Sequence, residues 1–469
     1  MALWTPYMEQ LGVIFDKDVN QIKIILCFFV AFFLSYLTAF IKSPNARYFY
    51  SVITGFIMNV FMFEEAVIHP ISMLIGTYLI MRIFPRDKQQ IINFVFLYTY
   101  LSAQHIHRMV YHYGEWGGEI TSFTMNLVCR LTSVAFCYCD GTNNKDKDFQ
   151  EQPSFMWLLG YTYNTPSCLA GPFFEFKDYK HWILLKGDYA NIPSTFKPGF
   201  ARLATALLWM CCATFATIYF KPTDLATEEF CNKTYLLQLW GFLLTMNNFK
   251  YTYYVVFVMN DSALIASGLA WNPHPRRSNN PDFKKVKNID EWIIDTGYYL
   301  KWQTVGWNIS ISVWLKRYVF KRLNSYFGGK PGVKEYLLTF LCSAFWHGFY
   351  PCYYFFFSYF AILLLALEEI YDNYSWYFMW IPQTIRRLIG WMASYIFCCY
   401  IVTVFALYDV RDVLYYFNCQ NWLYHIIIIL FLAFSFSPAG KSLKRSIRTQ
   451  KALAVNNSAQ KKQDGKKKN

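Results

Sequence analysis

The sequence predicts an all-α fold, a polytopic transmembrane bundle of about eleven helices in which some segments are broken or re-entrant. The composition is the first indication, because 55% of the residues are apolar, 21% are aromatic and only 16% are charged. Ordinary soluble domains carry about 25% charged residues. The second indication is residues 24–41, which are free of charge and approach the roughly 20 residues that a helix needs to cross a bilayer. A bilayer is therefore the expected solvent.

Further apolar stretches follow along the chain, and several are shorter than a full span. Short or interrupted stretches suit tilted or broken helices that neighbouring helices bury. Residues 155–174 contain two glycines and two prolines, so no straight helix is expected there. Residues 336–367 lack charge but are interrupted by Gly348 and Pro351, which favours two helices. The apolar stretches are 50–63, 66–81, 91–104, 123–139, 155–174, 204–220, 235–260, 336–367, 388–408 and 422–436.

Three regions are predicted from the distribution of charge. Residues 1–23 form an N-terminal segment whose acidic residues do not fit a cleaved secretory signal. Residues 24–440 form the transmembrane domain. Residues 441–469 form a basic tail that is expected to be disordered and cytosolic. The net charge of +14 comes without a nucleic-acid motif, so the expected partner is the membrane surface and not nucleic acid.

The C-terminal residues predict the compartment. Lys466-Lys467-Lys468-Asn469 resembles the dilysine retrieval signal of endoplasmic-reticulum membrane proteins, which is read in the cytosol. A solvated basic tail is the alternative. We therefore predict a multi-pass protein of the endoplasmic-reticulum membrane with a cytosolic C-terminus.

The 13 cysteines indicate neither a metal site nor a disulfide framework. Most of them lie inside apolar runs, where cysteine behaves as a small hydrophobic residue. No C-x-x-C pair with zinc spacing is present. We therefore expect no metal ion and no other cofactor.

His347 is the first candidate catalytic residue. It lies within 336–367, which contains no Asp, Glu, Lys or Arg. An ionisable side chain inside apolar membrane sequence is costly unless it is paired or functional. The alternative is a histidine that makes a hydrogen bond across a helix interface.

Asn308 is the second candidate, in the segment that runs from Gly306 to Arg317. Its carboxamide can both donate and accept hydrogen bonds. An interfacial asparagine between Trp307 and Trp314 is the structural alternative. The pairing with a membrane histidine 39 residues later favours a functional role.

Four stretches carry a resemblance to a known family and occur in matching order between residues 119 and 360. The stretches are Leu131–Phe136 with Asp140-Gly141; Pro153-Ser154-Phe155 leading to Ala170-Gly171-Pro172 and Phe176-Lys177-Asp178-Tyr179; Trp307-Asn308 with Trp314-Leu315-Lys316 and Tyr318-Val319; and Phe345-Trp346-His347-Gly348 with Pro351 and Tyr353. Through these stretches the chain resembles the membrane-bound O-acyltransferases, in their lysophospholipid acyltransferase branch.

Two positions depart from the pattern of that branch. Cys352 follows Pro351 where the branch usually has glycine, and Trp271-Asn272-Pro273 replaces a pattern richer in glycine. The acyl-chain and headgroup preferences therefore stay open, as does the sn position.

The resemblance implies transfer of a fatty acyl group from acyl-CoA to the free hydroxyl of a lysophospholipid. His347 would accept the hydroxyl proton, because an imidazole in apolar surroundings is expected to be neutral. Asn308 would orient the thioester or stabilise developing charge. Acyl-CoA is then a co-substrate. A covalent intermediate on Cys342 is disfavoured, because helix neighbours are spaced by three or four residues and not by the five that separate Cys342 from His347.

Substrate contacts are predicted around these two residues. Trp307, Trp314 and Trp346 would line the pocket, although most aromatic residues in such a chain serve packing. Lys316 and Arg317 would meet the CoA phosphates. The positive-inside rule alone is the alternative explanation for these two cations.

Three other functions stay open from the sequence. The chain could belong to the same family but acylate a protein, a sterol or diacylglycerol. Several spans with a buried histidine and asparagine also describe a transporter, although no inverted repeat is visible. A non-catalytic scaffold that keeps the fold is the third alternative.

Overall fold

A computed structural model of the protein confirms the predicted all-α class. It describes residues 4–15, 18–114, 119–144, 147–274, 281–329 and 332–466. Within these ranges the regular structure is helical, apart from an isolated bridge between Asn272 and Asp282.

The helices of the first half of the chain include most of the predicted apolar stretches. Residues 50–63 and 66–81 fall in consecutive helices that together pass as one candidate span. The helices are α1 Thr5–Phe15, α2 Val19–Thr38, α3 Pro44–Phe63, α4 Ile68–Ile83, α5 Arg86–Tyr111, α6 Ile120–Asn144, α7 Phe155–Thr162, α8 Phe176–Leu184, α9 Phe196–Tyr219 and α10 Glu228–Cys231.

The second half begins with the longest helix, which has 33 residues. A π-helical stretch, Leu315–Phe320, joins two short α-helices of this half into one run. The helices are α11 Tyr235–Ser267, α12 Glu291–Thr296, α13 Leu300–Gly306, α14 Ile309–Trp314, α15 Lys321–Phe327, α16 Val333–His347, α17 Pro351–Glu369, α18 Gln383–Leu407, α19 Val410–Cys419, α20 Leu423–Phe436 and α21 Pro438–Lys466.

Six helical segments of the described residues are long and apolar enough to cross a membrane. A seventh is added if α19 and α20, which meet at an angle of 77°, count as one span. The remaining helices are shorter or more polar. The protein is thus a multi-pass membrane protein. The predicted bundle of about eleven helices is larger than the number of candidate spans, because some of its helices are too short to cross the membrane alone.

Both predicted interruptions are confirmed. The 155–174 stretch contains only the eight-residue helix α7, followed by a short turn at Thr165–Ser167. The 336–367 stretch is divided between α16 and α17. Gly348 lies between them with φ +124°, a conformation that glycine adopts without a Cβ clash.

The described residues divide into two compact units. The first comprises Met1–Tyr219, Asn248–Asp290 and Trp307–Tyr350, and both motif-bearing segments belong to it. Its core surrounds α6, whose residues Leu127, Leu131 and Val134 are fully buried. Arg130 on the same helix is also fully buried. Its Nη2 donates to the carbonyl oxygens of three residues in the loop after α7, namely Ser167, Gly171 and Pro172.

The second unit comprises Phe220–Asn247, Glu291–Gly306 and Pro351–Asn469, and it contains one correction to the sequence analysis. Cys231 and Cys419 form a disulfide with their Cα atoms 4.9 Å apart. The prediction treated the cysteines as small hydrophobic residues, because most of them lie in apolar runs. These two cysteines lie instead at helix ends, where α10 and α19 terminate.

The C-terminal tail is a second difference. Disorder was expected from residue 441, but α21 continues through Lys466. The high polarity of the tail predicts a solvated, disordered segment. Its alanine, lysine and glutamine residues nevertheless have high helix propensity. The dilysine motif extends into residues 467–469, which lie outside the described residues.

Candidate active site

His347 is the last residue of α16 and is half-buried. The helix must end there, because the following Gly348 has a positive φ and its N–H bonds back to the carbonyl oxygens of Ala344 and Phe345. The ring of Trp346 packs edge-on against the imidazole, with centroids 4.8 Å apart. The imidazole is therefore presented at a helix terminus beside a break in the chain.

A second histidine, His105 on α5, was missed by the sequence analysis. It is 4% exposed, and its Nε2 lies 3.0 Å from the carbonyl oxygen of Trp346. A carbonyl oxygen can only accept, so Nε2 of His105 carries a proton. His105 also interacts electrostatically with His347. A Cβ on Gly348 would lie 3.2 Å from Nδ1 of His105, so the glycine allows this close approach.

Asn308 lies at the N-terminal end of a helix, immediately before α14, whereas His347 lies at the C-terminal end of α16. Its backbone is left-handed, with φ 41° and ψ 55°. Asparagine tolerates this region better than most residues. Its side chain does not cap the helix, and its Oδ1 is buried without a hydrogen-bond partner among the residues that the structure describes. A buried amide oxygen without a protein partner is available to accept a hydrogen bond from a substrate.

The two motif-bearing segments are anchored to the same helix. Nε1 of Trp346 donates to the carbonyl oxygen of Met125 at 2.8 Å, and Nε1 of Trp314 lies 3.3 Å from Oγ1 of Thr132. Met125 and Thr132 are both on α6. Seven residues are about two helical turns, so the two anchors share one face of α6 about 10 Å apart. Convergence of the Asn308 and His347 side chains on one substrate remains a prediction.

The predicted aromatic contacts differ in exposure. Trp314 is fully buried and Trp346 is 5% exposed, so both rings are packed within the core. Trp307 is half-buried against aromatic residues of α11, with its ring centroid 5.7 Å from that of Tyr253 and 5.8 Å from that of Phe257. Trp307 retains the most accessible surface of the three.

The two predicted cations also differ. Both are exposed on the π-helical stretch, but Nη1 of Arg317 is 2.8 Å from Oε1 of Glu175. Burial raises the pKa of the Glu175 carboxyl, and Arg317 and Tyr318 oppose that shift by stabilising its charged form. Glu175 thus offsets the charge of Arg317. Lys316 retains its exposed ammonium group and fits the predicted phosphate contact better.

Cys342, the disfavoured nucleophile, has a packing role in the structure. Its sulfur lies 3.3 Å from the hydroxyl oxygen of Tyr98. Burial and this neutral partner do not activate a thiol, because reactive cysteines need a stabilised thiolate.

A cavity of about 270 Å³ lies elsewhere in the first unit, between the start of α9 and the segment that follows α11. Its polar lining includes Arg202, Asp261, Lys284 and Lys287. Neither Asn308 nor His347 is among its lining residues.

Comparison with known proteins agrees with the motifs. The model of MBOAT, the membrane-bound O-acyltransferase family, matches residues 13–403. A fission yeast (Schizosaccharomyces pombe) protein named lysophospholipid acyltransferase is 26% identical over 457 residues, which cover 92% of this chain and 89% of that protein. A mouse (Mus musculus) membrane-bound glycerophospholipid O-acyltransferase 1 is 26% identical, with 92% and 91% covered. Lysophospholipid acyltransferase 1 of Arabidopsis thaliana is 28% identical, with 76% and 80% covered. The chain belongs to the membrane-bound O-acyltransferase family.

Proposed function

We propose that this protein is a lysophospholipid acyltransferase that uses acyl-CoA as its acyl donor. The observation that carries the proposal is the anchoring of the Asn308 and His347 segments to one face of α6, within a chain of this family. Relatives that match over most of their length are named for the same activity. Family membership favours acyl transfer over the transporter alternative.

The reaction needs a hydroxyl made nucleophilic, a stabilised oxyanion and the exclusion of water. His347 takes the proton from the lysophospholipid hydroxyl, whose oxygen attacks the thioester carbonyl carbon. The Nδ2 amide group of Asn308 donates to the carbonyl oxygen of the thioester, which orients the thioester or stabilises the negative charge that develops on that oxygen. The C–S bond then breaks, and the CoA sulfur leaves and recovers the proton from His347. No acyl-enzyme is formed.

CoA carries phosphates, so its nucleotide meets the protein at a water-facing surface while its acyl chain enters apolar surroundings. Lys316 is exposed just beyond α14, on the segment that follows Asn308, and supplies a positive charge there. Residence in the endoplasmic-reticulum membrane agrees with the basic C-terminal residues and with a disulfide, which requires an oxidising compartment on one side.

The test is acyl transfer by the purified protein with one labelled acyl-CoA. Separate reactions offer a panel of lysophospholipids, diacylglycerol, a sterol and a hydroxyl-bearing peptide, and free CoA is measured beside the lipid product. We expect CoA release only when a lysophospholipid is present. Product with another acceptor and none with any lysophospholipid would contradict the assignment.

A further inference from the structure

A buried set of hydrogen bonds holds the two residues that follow Asn308. The N–H of Ile309 donates to the carbonyl oxygen of Asn288 at 2.8 Å. Oγ of Ser310 donates to Oδ1 of Asn288 at 2.7 Å and accepts the N–H of Phe173 at 3.2 Å. Asn288 therefore contacts α14 at two consecutive positions, once through its main chain and once through its side chain.

Asn288 is itself fixed from behind. Its N–H donates to Oδ1 of Asp261 at 3.0 Å, and Oδ2 of Asp261 pairs with Nη2 of Arg202 at 3.0 Å. Asn288 and Asp261 are each 2% exposed, and Ser310 is 6% exposed. Buried polar groups that are satisfied in this way rigidify the elements they join.

We propose that Asn288 and Ser310 are positioning residues for Asn308. A non-glycine residue in the left-handed region persists only when its surroundings over-determine it. The bonds to Ile309 and Ser310 supply that constraint directly after Asn308, and they set the direction in which its carboxamide points. The inference rests on the proposed role of Asn308 in acyl transfer.

The test measures kcat and KM for acyl transfer by Ser310→Ala and Asn288→Leu, which remove opposite ends of one hydrogen bond. Ser310→Thr, which keeps the hydroxyl, is the matched control. We expect each of the first two variants to lower kcat by about tenfold or more with KM for the acyl donor changed less than about twofold. Ser310→Thr should retain most of the rate. An equal loss in Ser310→Thr would overturn the proposal, as would a change confined to KM.

The Asn308→Ala background separates this inference from the proposed function. If Ser310 acts through Asn308, adding Ser310→Ala to Asn308→Ala should lower kcat by less than about twofold further. The same loss in both backgrounds would overturn the positioning role. Full activity of Asn308→Ala alone would instead refute the proposed role of Asn308. Thermal unfolding of each variant identifies any loss of the folded protein, and Asn288→Leu provides an independent reading if Ser310→Ala does not fold.

A different observation, the Cys231–Cys419 disulfide, concerns the sides of the membrane. Disulfides persist in oxidising compartments such as the lumen of the endoplasmic reticulum and are rare in the cytosol. Nε2 of Gln238 bonds the carbonyl oxygen of Cys231 at 2.9 Å, and Nε2 of Gln420 bonds Oε1 of Gln238 at 2.8 Å. The two cysteine-bearing turns are therefore joined by hydrogen bonds as well as by sulfur.

The charges of the neighbouring helices agree with one orientation. Arg386 and Arg387 lie near the start of α18, and Lys441 lies near the start of α21. Positive residues that flank spans favour the cytosolic side. With 25 residues, α18 is about 37 Å long and can carry the chain from those arginines to the opposite side. The Cys419 turn then lies across the membrane from those arginines.

We infer that the Cys231 and Cys419 turns face the lumen and that the basic tail is cytosolic. Peptide mapping of the wild-type protein, alkylated in membranes and digested without reduction, should yield the Cys231–Cys419 linked peptide. Recovery of both as alkylated thiols would overturn the inference.

Sidedness is read in sealed microsomes, whose outer face is cytosolic, with a membrane-impermeant maleimide. In Cys231→Ser, and in the mirror variant Cys419→Ser, the remaining thiol should react only after the vesicles are permeabilised. Ser442→Cys places a thiol at an exposed tail position and should react in intact vesicles. Reaction of Cys419 in intact vesicles, or protection of Ser442→Cys, would contradict the orientation.

Discussion

Asn308 and His347 both lie where a helix meets a break in the chain, but they lie at opposite ends. Asn308 precedes α14 in a left-handed conformation, and buried bonds from Asn288 hold the residues after it. His347 ends α16, and the adjoining Gly348 leaves room for His105. The two side chains are therefore positioned by different local structures, a set of buried hydrogen bonds after Asn308 and a glycine beside His347.

The difference follows from the chemistry that each group is proposed to perform. An amide that orients a thioester must keep one direction, so a rigid network behind it is an advantage. An imidazole that accepts and returns a proton needs a defined partner environment, which the neighbouring His105 and Trp346 provide. Substitutions around Asn308 should therefore impair the orientation of the thioester, whereas substitutions around His347 should impair proton transfer.

The largest effect is expected at His347. His347→Ala should lower acyl transfer by about 10²–10⁴-fold, because a positioned general base is lost. His425→Gln is a matched control, since His425 is a buried histidine of α20 that bonds the hydroxyl of Tyr400 at 2.9 Å. We expect it to retain most of the activity. Rates are measured with labelled acyl-CoA, and an active His347→Ala would refute its role.

The next largest effect is expected at Asn308, where conformation and chemistry can be separated. Asn308→Ala should lower kcat by about 10²–10³-fold, as the loss of a charge-stabilising donor does. Asn308→Gly keeps the backbone freedom but lacks the carboxamide. Equal losses in both variants would assign the effect to the amide, whereas recovery in Asn308→Gly would show that only the backbone conformation matters.

A smaller effect is expected at Gly348. Gly348→Ala should destabilise the protein by about 1–3 kcal/mol because of its positive φ. Its Cβ also meets His105, so kcat should fall by about tenfold. Gly328→Ala is the control, because Gly328 has φ +72° and no atom of the described residues lies within 4 Å of the added Cβ. Comparable kcat values for the two variants would argue against a role for the His105 contact.

The smallest effects are expected at the tryptophan anchors on α6. Trp346→Phe and Trp314→Phe each remove one indole hydrogen bond and should lower the free energy of unfolding by about 1 kcal/mol. We expect kcat to fall only a few-fold in each. Thermal unfolding and rates of the single and double variants measure both quantities, and wild-type stability in either would show that its indole bond contributes little.

Much of the fold could be predicted from the sequence, because apolar runs indicate the bilayer spans and glycine and proline residues indicate their interruptions. The break at Gly348 and the irregular 155–174 stretch followed from glycine and proline alone. The disulfide could not be predicted, because Cys231 and Cys419 lie 188 residues apart and only packing brings them together. The helical tail was missed because its polarity outweighed its helix propensity.

Only part of the candidate site could be proposed from the sequence. His347 and Asn308 were identifiable as polar groups in apolar sequence with family motifs around them. Asn288, Ser310 and His105 carry no motif signal, and their importance depends on contacts between distant segments. His105 directly follows the apolar 91–104 stretch, but its contact with Trp346 could not be predicted from the sequence.

Helix α6 also sets the distance between the attachment points of the two motif-bearing segments. The indole Nε1 atoms of Trp346 and Trp314 contact it at Met125 and Thr132, about two turns apart. Inserting one residue between Met125 and Thr132 would shift Thr132 along the helix axis by about 1.5 Å and rotate it about that axis by about 100°. The interval between these two residues therefore has a fixed length, and a family member that altered it would have to relocate one motif to restore the spacing.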